Sequence, residues 1–244
     1  MDTDSAEHRF FSTLRTALDR KGPHPDFDSL FPRKTGGSSS ISILGPDPLS
    51  RHRERQRWVQ TFIEEAKALF VDAACIETPE RLADAIGAIA EATPAEWAPV
   101  RTAVCCNHPM IASAAIVNTL KNRHIDVYFP DAAAPPERFR NRCAQAALGI
   151  FVVDYAIAES ATLVLRNRAD CPRLISILPS ASIAIIPMES VLPTFAQLAD
   201  VLEGSPASDG MSFITGPSKT ADIEAVMVQG AHGPRSLHVL FTVF

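Results

Sequence analysis

At 244 residues, with 46% hydrophobic and 21% charged residues, the chain has an ordinary globular composition and length enough for a substantial core. A formal charge of −5 and no basic stripe leave no electrostatic reason to bind nucleic acid or an anionic membrane surface. The acidic start, Met1-Asp2-Thr3-Asp4-Ser5-Ala6-Glu7, lacks the basic and apolar segments of a signal peptide, and no apolar run nears the ~20 residues that span a bilayer. A cytoplasmic location is therefore expected.

Residues 5–20 place Phe10, Leu14 and Leu18 on one stripe and predict a short helix. Residues 21–50 are crowded with Pro, Gly and Ser, which predicts an extended arm, with 41–44 as a brief strand. The expected division is an N-terminal helix and arm over 1–49 and one α/β domain over 50–244. Residues 51–69 predict a helix with Trp58, Phe62, Ala66 and Leu69 inward; its basic start, Arg51 to Arg57, reads as a solvated face.

From residue 70 the pattern alternates. Short apolar runs at 70–75, 103–106, 125–129 and 150–153 read as strands. Between them lie three helical stretches. Thr78-Pro79-Glu80 opens one with Leu82, Ala85, Ile86 and Ile89 following, residues 109–120 form another, and Pro135-Pro136-Glu137 opens a third with Phe139, Cys143, Ala146 and Ala147 inward. Repeated strand and helix at this spacing predict an α/β fold with a mostly parallel sheet.

Further along, Glu159, Ser160 and Thr162 enter the apolar run 155–165, a carboxylate and two hydroxyls at the start of a strand. Glu159 and Thr162 are candidate ligand-binding residues; a bland alternative has Glu159 bonding loop amides. Residues 182–187 predict a buried strand, and Pro193 a helix with Phe195, Leu198, Ala199 and Leu202 inward, ended by Gly204.

The C-terminal stretch concentrates the polar candidates. Phe213 and Ile214 lead into Gly216-Pro217-Ser218-Lys219-Thr220-Ala221-Asp222-Ile223-Glu224, where Ser218 or Thr220 can cap a helix carrying Ile223, Val226 and Met227. Gly230 and Gly233-Pro234 then turn the chain into a last strand over 237–243. Two turns around one short helix would gather Ser218, Lys219, Thr220, Asp222, His232 and Arg235. Lys219 and Arg235 suit an anion, whereas Asp222 and Glu224 would repel a phosphate, so a self-satisfied ionic network competes with a binding site. Ser-Lys-Thr is no P-loop, because the required glycines are missing.

Metal chemistry has little support. The five cysteines, Cys75, Cys105, Cys106, Cys143 and Cys171, include no C-x-x-C pair and read as small buried side chains; His108 beside Cys105 and Cys106 fits no common zinc spacing. No metal and no cofactor are expected in this chain.

Taken together, Gly216-Pro217-Ser218-Lys219-Thr220-Ala221-Asp222-Ile223-Glu224 and Gly230-Ala231-His232-Gly233-Pro234-Arg235 resemble the C-terminal signature of the LUD-domain family, in particular its lactate utilization protein C group. The likeness extends over most of residues 55–244, through Leu178-Pro179-Ser180 and Met188-Glu189-Ser190. It implies a three-layer α/β/α sandwich similar to the NagB, ribose-5-phosphate isomerase and CoA-transferase fold. It also implies an accessory role beside iron–sulfur partner proteins in oxidation of L-lactate to pyruvate, with the clusters in the partners. Similar members carry Glu-Thr/Ser-Gly-Thr where this chain has Glu159-Ser160-Ala161-Thr162, and alanine is expected to exclude backbone shapes that glycine allows. The candidate ligand set is Gly216, Ser218, Lys219, Thr220, Asp222, Glu224, His232, Gly233, Arg235, Glu159 and Thr162. A rival reading, an enzyme on a phosphorylated sugar or acyl-CoA, would use Glu159, Asp222 or His232 as base or nucleophile. A third is a scaffold whose arm wraps a partner.

Overall fold

Local signals place most of the helices and strands where the pattern predicts them. The structure, a computed structural model, describes residues 48–96, 98, 100–203, 210–221, 227–229 and 233–244. The helix expected over 5–20 and the strand over 41–44 lie outside the described residues.

Helix α1 (Pro48–Ala68) buries Val59, Phe62 and Ala66, and the Phe62 ring meets Phe241 edge-on at 5.1 Å. Strand β1 (Asp72–Ile76) follows, then α2 (Pro79–Ala92). The Thr78 hydroxyl accepts from the Arg81 amide at 3.3 Å and Pro79 occupies the first turn, the cap the sequence advertises. After β2 (Thr102–Cys105), α3 (Ala114–Asn122) starts several residues later than expected. The amides of Ile111 and Ala112 both bond the His108 carbonyl, so Pro109 opens a separate turn. Next come β3 (Asp126–Tyr128), α4 (Pro136–Gln145) with Cys143 buried, and β4 (Leu148–Val152).

The main sheet has six strands in the order β1-β12-β7-β4-β2-β3, all parallel, with β7 (Ala181–Pro187) and β12 (Ser236–Thr242) beside β4 at its centre. The fold is α/β. The chain steps outward from β1 to β2 and β3, then back through β4, β7 and β12. Right-handed crossovers therefore put α2 and α3 on one face, and α4 and α5 (Leu174–Ile177) on the other, as their pairwise contacts also indicate. Helix α5 comes so close to β4 that a Cβ on Gly149 would sit 1.9 Å from the Ile175 carbonyl oxygen.

A second sheet, ordered β8-β5-β6-β9, is inserted between the strands of the first: β5 (Tyr155–Ile157), β6 (Thr162–Arg166), β8 (Val191–Leu192) and β9 (Met211–Ile214). Helix α6 (Phe195–Leu202) packs on β5 and β8 through Leu198. Phe195 and Ala199, expected inward, are exposed, because α6 has only one narrow support; Phe195 leans instead on Phe213, 6.0 Å away. Gly204 lies outside the described residues.

The helix expected after Ser218 does not form at either of its ends. Lys219–Ala221 is strand β10, paired antiparallel with β11 (Met227–Gln229). The Ser218 amide, which would begin that helix, donates to the Pro234 carbonyl at 3.0 Å, and Thr220 is registered opposite Val228 in the ladder. Cys75 is exposed, while Cys105, Cys106, Cys143 and Cys171 are buried as expected.

Candidate functional site

The strands of the main sheet all run the same way, so its two ends differ chemically. At the end where β7 and β12 begin, the turn before β12 meets the turn before β10. A Cβ on Gly233 would lie 3.2 Å from the Ser218 Cβ, so a side chain at 233 would crowd the contact between the two turns. Beside them the Arg235 amide donates to the Ser180 carbonyl at 2.8 Å, tying this turn to the start of β7.

The Arg235 side chain crosses to the loop after α2, where its Nη1 donates to Glu96 Oε1 at 2.8 Å. Arg235, Glu96, Ser180, Ser236, His238 and the last turn of α2 line an open cavity of about 450 Å³. Among the described residues, two buried oxygens of its wall, Glu96 Oε2 and Ser180 Oγ, have no hydrogen-bond partner. A buried acceptor without a donor costs about 1–3 kcal/mol, which a ligand carrying the missing donor would recover. His238 contacts Asp72 at 3.3 Å; burial holds its pKa below the ordinary histidine value, against the opposing pull of Asp72. The site thus combines a cation, an acceptor in want of a donor, a neutral imidazole and an apolar floor.

The other candidates are distributed differently. Lys219 turns away from Arg235: its Nζ donates to the Leu69 carbonyl at 3.1 Å and lies 4.6 Å from the centre of the Phe70 ring. The two cations therefore do not converge on one anion. Thr220 sits in β10, and Gly216 has φ +88 with Leu69 against it, a conformation suited to glycine. Asp222, Glu224 and His232 lie outside the described residues.

Glu159 is a helix cap, its Oε1 accepting from the Phe195 amide at 2.9 Å at the start of α6. Thr162, buried, exchanges a hydroxyl hydrogen bond with Thr215 at 2.8 Å and receives one from Ser160 at 2.9 Å. Between them Ala161 adopts the left-handed conformation, φ 47 and ψ 42. Alanine thus takes the shape it was expected to exclude, at a cost of about 1–2 kcal/mol.

At the opposite end of the sheet, β2 and β4 are neighbours whose onward connections leave to opposite faces, the position where open α/β sheets commonly bind ligands. Here Asp154 accepts from the Arg166 amide at 2.8 Å and pairs with the Arg168 guanidinium, whose Nε also meets Asp170 at 3.1 Å. The Asn107 amide donates to the Asp170 carbonyl at 2.7 Å, bringing Cys106 and Cys171 side by side. A hydrogen bond from the Cys171 thiol lowers the Cys106 pKa, and the same bond, with burial, raises that of Cys171. His108 is held below its usual value by burial and by nearby Arg168. Among the described residues no group of three His, Cys, Asp or Glu side chains is arranged to hold a metal ion.

Sequence reasoning did not select Glu96, Ser180, His238, Asp154 or Arg168. The partners of Glu96 and His238 lie far away along the chain, those of Asp154 and Arg168 lie in an irregular loop, and only Ser180, inside the Leu178-Pro179-Ser180 run, carried a signal.

Residues 59–242 match the LUD domain. The chain belongs to the LUD-domain family. Within it, the chain is similar to proteins named Lactate utilization protein C: 36% identical over 118 residues to that of Anoxybacillus flavithermus, covering 48% of this chain and 53% of the relative. The counterpart in Exiguobacterium is 40% identical over 107 residues, 42% of this chain and 46% of the relative, and that in Halalkalibacterium halodurans 34% over 139 residues, 55% and 59%. The chain thus spans about half the length of the curated relatives it matches. A crystal structure of a DUF162 family protein from Deinococcus radiodurans shares the fold, with TM-score 0.50 and 21% identity over 77% of this chain and 98% of that one. No helix among the described residues is long and apolar enough to cross a membrane.

Proposed function

We propose that this LUD-domain chain is an accessory component, without iron–sulfur clusters of its own, of a cytoplasmic system oxidising L-lactate to pyruvate, with the clusters in partner proteins. Its kinship to proteins named Lactate utilization protein C carries this reading. The cavity at Arg235 would take the small anionic ligand, a 2-hydroxy acid.

The chemistry supports that choice. Because Arg235 and Glu96 already pair, a bare anion would meet a nearly neutral site. A 2-hydroxy acid carries both groups the site can use: a carboxylate for the remaining guanidinium N–H groups, and a hydroxyl that donates to Glu96 Oε2. The apolar residues of α2, Ala88, Ile89 and Ala92, would face the methyl end.

Reconstitution tests the assignment. The purified chain mixed with the iron–sulfur proteins of the same host should raise lactate-dependent reduction of an artificial electron acceptor, and omitting it should lower the rate. The chain alone should be inert. Turnover of a sugar phosphate or acyl-CoA by the chain alone would overturn the accessory role and return Glu159, Asp222 or His232 to the place of base or nucleophile.

A further inference from the structure

The exposed edge of the main sheet carries a separate concave site. It lies where β3 ends, at the sheet end opposite Arg235. Tyr128 and Phe129, Asp131 and Ala134 from the following turn, and Arg138, Phe139 and Arg142 of α4 line a cavity of about 150 Å³.

Its charges are unusual for a plain surface. Arg138 and Arg142 stand one helical turn apart, where like charges repel. Among the described residues neither guanidinium has a carboxylate partner. Asp131, in the same wall, adds one negative charge but is outnumbered by the two guanidinium groups, and its Oδ1 is held by its own turn, accepting from the Ala133 amide at 2.9 Å. The Arg142 guanidinium lies 3.6 Å from the centre of the Tyr128 ring, stacked on its face. A guanidinium seated over a ring face can still direct N–H groups to the oxygens of a phosphate or carboxylate.

Aromatic side chains supply the second half of the site. Phe129 and Phe139 are half-buried in the wall, so each keeps part of its surface open. The cavity has room for a phosphate group, while a ring joined to that phosphate would lie on the phenylalanine faces. Stacking of a base on an aromatic side chain adds about tenfold or more in affinity.

We propose that this edge binds a phosphate ester bearing a flat ring, of the nucleoside monophosphate class, with Arg138 and Arg142 on the phosphate and Phe129 or Phe139 against the base. The site is independent of the cavity at Arg235.

Calorimetric titration of the full chain at low salt with AMP, ribose 5-phosphate and inorganic phosphate tests it. AMP should bind at least about tenfold more tightly than ribose 5-phosphate, the factor expected of one stacked base. Arg138→Ala and Arg142→Ala should each weaken AMP about tenfold, whereas Arg140→Ala, exposed on the same helix but outside the cavity, should leave it unchanged. Should Arg142→Ala melt early through loss of its Tyr128 stack, the exposed Arg138 decides. No AMP binding, equal binding of AMP and ribose 5-phosphate, or an equal loss in Arg140→Ala would overturn the proposal.

Discussion

The two ends of the parallel sheet handle their charges in opposite ways. Where β2 and β4 finish, Arg168 is held between Asp154 and Asp170, Asn107 is tied to Asp170, and the free thiol of Cys171 is hydrogen-bonded to Cys106. Where β7 and β12 begin, one ion pair spans an open cavity, and two buried oxygens find no partner among the described residues. A closed network rigidifies a fold, while an open one with unmet hydrogen-bonding capacity costs stability that a ligand can restore. Position in an α/β sheet alone would favour the first end for binding. The pairing of its groups argues for the second.

Substitutions at the two ends should therefore act with opposite signs. Arg168→Met strands the largely buried Asp154 carboxylate and should cost about 2–3 kcal/mol, below the full value for a buried pair because Arg168 is partly exposed. Urea unfolding measures this. Ser180→Ala removes a hydroxyl with no partner among the described residues and should stabilise the free protein by about 1 kcal/mol. A loss of that size would mean that the hydroxyl is satisfied.

Ala161→Gly probes the turn between β5 and β6. It relieves a left-handed alanine but frees the unfolded chain, for a net gain of about 0.5–1 kcal/mol. The smallest effect concerns pH. His238 and His108 both have lowered pKa values in the folded state, so the unfolded chain takes up protons first as the pH falls. Their contribution to stability is complete above the unfolded value of about 6.5 and is lost as the pH drops from there through the folded values. His238→Gln should flatten the pH dependence of the melting temperature as the pH falls below the ordinary histidine value of about 6.5.

Much of the fold was legible because its signals are local. Thr78 and Pro79 announce α2, the inward Cys143, Ala146 and Ala147 mark the base of α4, and alternating apolar residues give β12. The hairpin of β10 and β11 was not legible. Ser218 and Thr220 look like helix caps until Pro234 takes the Ser218 amide, a contact no local pattern encodes. The candidate site was harder still. Glu159 finds its partner 36 residues away, and Arg235 meets Glu96 across 139 residues. Lys219 and Arg235 are similar cations in adjacent turns, yet one lies on Phe70 and the other on Glu96. Charge type could be read from the chain; direction could not.

The open end is where the account is most exposed. Titrating L-lactate into the isotope-labelled chain, and following the amide signals of Ser180, Ser236 and His238, tests it directly. Saturable shifts at these three residues, weakened about tenfold or more in Arg235→Ala, are the predicted result. Shifts that leave them untouched, or an equal response in Arg235→Ala, would contradict it.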